Sequence, residues 1–530
     1  MKSVGQLAEL VGALQIVGDP QVEVCGLACD SRKVEAGDLF VCVSGFQSDG
    51  HHFAPGAVER GARALVVERP LTDLPQQVPQ LVVASSRRAL ALLSAHFCGQ
   101  PASKLLNIGV TGTNGKTTTS LLIESILLQA GYNPGLVGTI EAHVAGKVLP
   151  LANTTPESYD LHHLFAQMVA GGQDSVVMEV SSHALALDRT YGIPFDVAVF
   201  TNLTQDHLDF HHTMEEYFAA KAKLFTRLGT HRGRSVGPFA IINLDDPYGA
   251  RLLELIKSRV PVLTYGTHSE ADVRAYNVQA GPSGLSFILE TRVGQREINL
   301  QLSGTFNLHN ALAAAAVGLA LRLGIEEVAR GLEGVKAVPG RFQLVRLGQD
   351  FTVIVDYAHT PDGLENLLDS ARQITSGNLS LVFGCGGNRD QAKRPLMGKI
   401  AAQKADKVYI TTDNPRQEDP QAIVEQILAG IEPRERQFVE VIHDRAQAIA
   451  KALTSAKAGD TVVIAGKGHE TYQKFEDRTI HFDDVEQARS ILSSLGASRL
   501  SSGVQPKVRI KLGWDRCSFD INRYLVSKAR

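Results

Sequence analysis

Hydrophobic residues along this chain come in short runs, and most runs end in a polar cluster. Leu105-Leu106-Asn107-Ile108 reads as a short buried strand. Beyond it, Leu121, Leu122, Ile123, Ile126, Leu127 and Leu128 recur at helical spacing. Between the two stands Gly109-Val110-Thr111-Gly112-Thr113-Asn114-Gly115-Lys116-Thr117-Thr118-Thr119. The order strand, glycine-rich turn, helix start aims backbone N–H groups and the positive end of a helix dipole at an anion. Gly112 and Gly115 let the backbone bend and approach a phosphate. Lys116 can reach the outer phosphates, and the Thr117 hydroxyl can sit on Mg²⁺. Val110 stands where the usual phosphate-loop pattern has Gly. Alone, this loop says that a nucleoside triphosphate binds and no more.

The same alternation organises the rest of the chain. In residues 1–98, strands are expected at 39–43 and 64–67 and helices at 54–61 and 86–97, which makes a small α/β domain. Residues 99–340 read as a doubly wound α/β domain around the phosphate loop, with strands at 175–180, 197–200 and 239–243. Such sheets bind ligands beyond the carboxyl ends of their strands. The informative residues are therefore Glu179 with Ser181-Ser182-His183, Thr201-Asn202-Leu203-Thr204 leading to Asp206-His207, and Asn243 with Asp245-Asp246. Acid and imidazole at strand ends near a phosphate loop suggest Mg²⁺ ligands. His207, His211 and His212 follow no common zinc spacing. Residues 262–303 read as a β meander, and an Ala-rich helix is expected over 310–323, with Asn307 and Asn310 at its start, where Asn is often only a cap.

Val338-Pro339-Gly340-Arg341-Phe342 has the turn chemistry of a domain joint. Residues 341–498 read as a third, Rossmann-like α/β domain. Its strands at 353–357, 379–383, 407–410 and 461–465 each run into a cluster of Gly, Arg, Asp or His. That repetition argues for a second ligand-binding edge facing the first. Residues 499–530 are basic and lack helical periodicity, and are expected to form a flexible tail.

Composition narrows the function. A net charge of −3 argues against a bulk nucleic-acid binder. No apolar run approaches the ~18 residues of a membrane span, and the N-terminus lacks the apolar core of a signal peptide. Cys25, Cys29, Cys42, Cys98, Cys385 and Cys517 form no C-x-x-C pair and are expected as small buried hydrophobes in a reducing cytoplasm.

Taken in order and spacing, Gly112 to Thr118, Glu179 with Ser181-Ser182-His183, Asn202 to Asp209, Gly304 to Asn310, and Asp356-Tyr357-Ala358-His359-Thr360-Pro361 resemble the Mur ligases. These are ATP-dependent amide-forming enzymes of peptidoglycan synthesis, and hence of cell-wall growth, cell shape and division. The chain looks most like members that add the third residue of the stem peptide to UDP-N-acetylmuramoyl-L-alanyl-D-glutamate. Asp413-Asn414-Pro415-Arg416 is similar to the motif of the meso-diaminopimelate type.

The resemblance implies a role for each matching residue. Cys29, Ser31 and the Phe46-Gln47-Ser48 turn fall where the family holds the uridine nucleotide. Asn153, Thr154, Thr155, Ser181, Leu187 and Arg189 fall at the muramoyl dipeptide. Leu187 replaces a Gln of some members, and Phe46 occupies a variable position. Gly112, Thr113, Asn114, Gly115, Lys116, Thr117 and Thr118 match the ATP loop. Asn307, Asn310, Arg341 and Asp356 fall at the base and ribose. Thr117, Glu179 and His207 match Mg²⁺ ligands, and Lys221 matches a lysine that the family carbamylates into a further ligand. By position alone Lys221 would be a helix-surface lysine. Arg389, Asp413, Asn414, Pro415, Arg416, Gly466 and Glu470 match the diaminopimelate site. A cytoplasmic monomer with Mg²⁺ as cofactor and ATP as co-substrate is implied, with no nucleic-acid partner.

Overall fold

The computed structural model describes residues 1–45, 48–75, 77–229, 237–281 and 284–501. Three α/β sheets follow one another along the chain, each with a hydrophobic core on both faces. The first has five strands, in the order Gln15–Val17, Gln80–Val82, Ala64–Val67, Asp38–Val41, Gly26–Ala28. All pair in parallel except Gln15–Val17.

The second sheet has eleven strands and is built outward from Leu106–Thr111. Ser175–Glu179 and Val197–Phe200 flank it in parallel. Period-two alternation sorts their side chains: Ile108, Val110, Val177 and Val199 enter one core, while Val176, Met178, Ala198 and Phe200 enter the other. The expected meander is shorter than the sequence suggests. Val262–Gly266 pairs in parallel with Phe239–Asn243, joined by the crossover helix Pro247–Ile256. Only Val273–Gly281, Gly284–Thr291 and Gly294–Leu300 form the antiparallel meander. A short apolar run carries no sign of whether its neighbour will be parallel, so the pattern could not separate these cases.

The Ala-rich helix also differs. It spans Phe306–Ala320, with Thr305 at its N-cap. Asn307 and Asn310 therefore lie inside its first turns and cap nothing. Residues Ala311, Ala313, Ala314, Ala315 and Ala316 are all fully buried. A helix apolar on every side is one packed on every side. Here small side chains let it lie close to the phosphate-loop helix Lys116–Gln129 and the sheet.

The third sheet has six strands. Thr352–Asp356, Thr461–Ala465, Leu379–Phe383, Lys407–Ile410 and Val439–Val441 run in parallel, so their carboxyl ends share one edge. The last helix, Asp484–Ser501, continues past the expected boundary at 498. Asp484 at its start pairs with Arg445 of the preceding helix, Arg445–Ser455, with both side chains fully buried. Among the described cysteines Cys42 and Cys385 are buried, whereas Cys25 is exposed and Cys29 and Cys98 are partly exposed. Phe46, Gln47 and residues 502–530, including Cys517 and most of the expected tail, lie outside the described residues.

Candidate active site

The phosphate loop leaves the strand at Thr111 and enters the helix at Lys116. Gly112 and Gly115 have φ of +153° and +87°, and a Cβ on either would lie 1.8 Å from Thr201 Oγ1 or 2.4 Å from Asn310 Oδ1. Both positions therefore demand glycine for backbone and for space. The next strand's polar tail clasps the loop. Thr113 N donates to Asn202 O (2.9 Å), Asn114 N to Asn202 Oδ1 (2.8 Å), and Thr201 Oγ1 to Asn114 O (2.7 Å). Lys116 Nζ folds back on Gly112 O (2.9 Å) and Thr113 O (2.8 Å). Burial lowers its pKa.

Lys221 is no surface lysine. It lies on the inner face of helix Met214–Thr226, 2% exposed, and donates to Gly112 O at 2.8 Å. Its Nζ stands 4.7 Å from the centre of the Tyr217 ring. Burial, and then the charge of Lys116, lower its pKa well below the usual amine value. Glu179, 1% exposed, accepts from Thr139 N (2.8 Å) and Thr139 Oγ1 (2.9 Å). His207 sits in the left-handed region at φ 56°, with Nε2 3.3 Å from Asp206 Oδ2 and its ring 4.7 Å from that of His183. Burial holds its imidazole well below the usual pKa, so it is neutral. Thr117, Glu179, His207 and Lys221 all line one cavity of about 540 Å³, together with the phosphate loop, Thr154, Ser181, Asn310, Arg341 and Asp356.

That cavity lies between the second and third sheets. Arg341 Nη2 reaches Thr117 Oγ1 at 3.4 Å, and its guanidinium lies 4.3 Å from the Tyr357 ring centre. Asp356 accepts from Phe342 N (2.6 Å) and Ala358 N (2.7 Å). Burial raises its pKa. Asn310 bonds Asn307, and Asn307 holds Ser303 O, so this pair ties the Ala-rich helix to the loop before it. The sequence reading missed Asp362, whose Oδ2 accepts from Asn114 Nδ2 (2.8 Å) and Thr204 Oγ1 (3.2 Å). It follows Pro361 at a helix start, and only the docking of the third sheet shows its use.

Beside the cavity, Thr155 Oγ1 donates to Glu179 O and receives Ser181 N, and Arg189 Nη1 donates to Thr155 O. Asn153 is exposed, and Leu187 ends the helix Ser182–Ala186. Arg189 pairs with Glu157 (2.8 Å), which also faces Arg87 (3.5 Å), and Arg87 Nη2 reaches Ser44 O. Those contacts run to the first sheet, where Ser31 opens a tight turn and Ser48 closes on Gly45. Cys29 and Ser31 do not line the central cavity. Burial pushes the Cys29 thiol up to about 11.

A second cluster stands on the carboxyl edge of the third sheet. Asn414 Nδ2 donates to Glu470 Oε2 at 2.8 Å. Lys467, fully buried and also missed from the sequence, donates to both Asn414 Oδ1 (3.3 Å) and Glu470 Oε2 (3.1 Å). Asp413 Oδ2 is buried without a hydrogen-bond partner. Gly466, at φ +113°, lies so near that a Cβ would sit 2.8 Å from that oxygen. Pro415 is buried, and Arg416 has φ 54° and donates to Gly387 O at 2.8 Å. Burial and the facing Arg389 lower the Arg416 pKa. Tyr357, which lines the central cavity, has its ring centre 5.0 Å from that of His469, the residue before Glu470.

Three family descriptions match in succession: the Mur ligase family catalytic domain over residues 23–99, the Mur ligase middle domain over 110–318, and the Mur ligase glutamate ligase domain over 340–468. The UDP-N-acetylmuramoyl-L-alanyl-D-glutamate–2,6-diaminopimelate ligase of Bacillus licheniformis is 45% identical over 93% of this chain and 100% of its own length. The chain belongs to the Mur ligase family. The ligase is likewise 49% identical to the protein of that name from Geobacillus thermodenitrificans, over 89% of this chain and 95% of the relative. A solved structure of a 2,6-diaminopimelate ligase superposes with a TM-score of 0.67 at 32% identity, covering 93% of the ligase and 99% of that chain. A MurF ligase from Thermotoga maritima solved with ADP shares the fold, with a TM-score of 0.58 at 19% identity, over 90% of the ligase and 99% of that chain.

Proposed function

We propose that the ligase joins meso-diaminopimelate to the γ-carboxylate of D-Glu in UDP-N-acetylmuramoyl-L-alanyl-D-glutamate, forming ADP and phosphate. The observation that carries the amino-acid choice is the pair Arg389 and Arg416. Arg416 is part-buried, its Nη1 donates to the carbonyl oxygens of Gly387 and Asn414, and Arg389 comes close to the same glycine turn: a Cβ on Gly386 would lie 3.0 Å from Arg416 Nη1 and 3.9 Å from Arg389 Cγ. Two cations held together in that way call for an anion between them. Diaminopimelate offers a distal carboxylate, which a guanidinium fork takes in two-pronged fashion. Lysine lacks that carboxylate and would leave the charge unpaired.

A carboxylate is a poor acyl donor because oxide is a poor leaving group. Attack of a γ-carboxylate oxygen on the γ-phosphorus of ATP releases ADP and leaves an acyl phosphate. The amine of diaminopimelate then attacks the acyl carbon, phosphate leaves, and the amine gives up a proton. The first step brings two anions together. Lys116, held over the loop by Gly112 O and Thr113 O, brings a positive charge to the phosphates, and positioning supplies much of the remainder.

The donors lining the cavity fit Mg²⁺. Glu179 gives a carboxylate and Thr117 a hydroxyl, both hard oxygen donors, and His207 adds a neutral imidazole of borderline softness. When bound there, Mg²⁺ screens the phosphates from the incoming carboxylate. Lys221 supports a further ligand. A neutral amine attacks CO₂, forming an N–C bond and releasing a proton, and burial favours that neutral amine. We also read the ligase as cytoplasmic, since ATP and a nucleotide-carried substrate are its reactants. No described helix is long and apolar enough to cross a membrane.

Phosphate release with the UDP-muramoyl dipeptide tests the reading. Turnover is expected with meso-diaminopimelate and not with L-lysine. Arg416→Ala should lose diaminopimelate use by about two orders of magnitude or more in kcat/KM. Near-normal turnover by that variant would overturn the amino-acid assignment.

A further inference from the structure

Arg389 and Arg416 stand on separate loops. Arg389 follows strand Leu379–Phe383, and Arg416 follows strand Lys407–Ile410. The strand pairing ends at Phe383 and Ile410, and beyond it only single backbone bonds join the two segments, so the strands alone do not set the spacing of the two guanidiniums. Like charges also push the loops apart. Both loops hold a residue in the sparsely populated left-handed region, Asn388 at φ 52° and Arg416 at φ 54°. Such conformations persist only where their surroundings hold them.

The two loops are joined directly, Gly387 N donating to Asn414 O at 2.9 Å and Arg416 Nη1 to Gly387 O at 2.8 Å, and a buried ion pair adds to these bonds. Arg394, in the first turn of helix Lys393–Lys404, has a side chain with no exposed surface. Its Nη1 donates to Glu418 Oε2 at 2.8 Å and its Nη2 to Glu418 Oε1 at 3.0 Å. The same Nη2 donates to Gly386 O at 3.0 Å, and Nη1 to Gln426 Oε1 at 2.8 Å. Glu418 Oε1 also accepts the backbone N–H of Asn388, the residue before Arg389. Asn388 Oδ1 in turn accepts from Gln417 N at 3.0 Å, next to Arg416. The loops meet so closely that a Cβ on Gly387 would lie 1.9 Å from Pro415 O. The fork-to-carboxylate contact therefore reaches both the Arg389 loop and the Arg416 turn and reinforces the direct bonds between them.

We propose that Arg394 and Glu418 form a clamp that sets the spacing of Arg389 and Arg416, and through it the preference for an amino acid with a distal carboxylate. This rests on the amino-acid site proposed above. Arg394 and Glu418 are positioning residues. Their charges cancel, so the clamp adds no net attraction for the ligand. Its contribution is geometry, and two cations can share one carboxylate only at a narrow range of separations. A lysine at 394 keeps the charge but loses the planar fork that spans both Glu418 oxygens and Gly386.

The test uses the full-length enzyme and steady-state kinetics with each substrate varied in turn. In Glu418→Gln and Arg394→Lys, KM for meso-diaminopimelate should rise about ten- to a hundredfold, with KM for ATP and for the UDP-dipeptide within about threefold of the parent. The ratio of L-lysine to diaminopimelate turnover should rise as well. A merely structural role predicts lower melting temperature and losses spread over all substrates. Arg394 is buried and its variant can fail to fold; Glu418, one-fifth exposed, carries the test in that case. A folded Glu418→Gln with unchanged KM for diaminopimelate and unchanged selectivity overturns the clamp. Arg416→Ala run alongside separates the two readings. If it too is unaffected, the amino-acid site itself is misplaced; if it alone fails, only the clamp falls.

Discussion

At the scale of single residues, burial decides what the charged groups do. Lys221 illustrates it. In sequence it is one lysine among helix-spaced apolar residues, yet its amine points at the phosphate loop and touches Gly112 O. Lys221→Ala should be inactive in phosphate release and partly restored by added short carboxylates; an active variant without them would count against carbamylation. His143 shows the opposite shift. Its Nδ1 lies 2.6 Å from Glu124 and its Nε2 3.0 Å from Glu141. The hydrogen bond to Glu124 leads in raising its pKa to about 9. A folded pKa above the unfolded value of ~6.5 means that protonation stabilises the fold. The contribution is fully present below about pH 6.5 and fades as pH rises through about 9. Denaturant melts of the parent and His143→Gln should therefore differ most near pH 6 and converge toward pH 10, and an NMR titration of the ring should show it still charged at pH 8.

At the scale of elements, the hydrophobic pattern located strands well where they were buried on both faces. Ala64–Val67 and Val197–Phe200 are continuous apolar runs, Leu379–Phe383 and Thr461–Ala465 are apolar but for Ser380 and Thr461, and the structure has strands at all four. The pattern said less where two outcomes share one signature. Val262–Gly266 looked like the meander that follows it, and its parallel pairing came from a helix crossover. The Ala-rich helix began earlier than its alanines because Phe306 and Asn307 already pack in its first turn. Its alanines are a spacing device between helix and sheet. Ala314→Leu should therefore overpack the core and cost about 1–3 kcal/mol of stability by chemical denaturation. An unchanged midpoint would mean that the core has room the structure does not show.

At the scale of the whole molecule, the cavity belongs to no single sheet. Its floor is the phosphate loop of the second, and its roof is the Arg341 and Tyr357–Asp362 region at the edge of the third. The joint at Gly340 is packed tightly, since a Cβ there would meet His469 N at 2.1 Å. The third sheet reaches the loop through Asp362, which takes hydrogen bonds from Asn114 and Thr204. An acyl phosphate must be kept from water, and this contact holds the two sides together. Asp362→Ala should raise KM for ATP several-fold and enlarge the radius of gyration measured by X-ray scattering with nucleotide bound. The same radius in both proteins would show that closure does not depend on this contact.

The local chemistry of this ligase is legible in the order of its residues. That order sets out strand, loop and helix around Lys116, the alternation that divides each sheet into two cores, and the Asp413-Asn414-Pro415-Arg416 motif. These are short-range matters: spacing of apolar residues, freedom of glycine, and the reach of side chains from adjacent positions. Only the tertiary structure decided which distant groups share an environment. Asp362 meets Asn114, Arg341 meets Thr117, Lys221 loses its solvent, and Arg394 and Glu418 bind two loops into one site. The physical reason is that burial and Coulomb interaction depend on separation in space, which adjacent residues do not record.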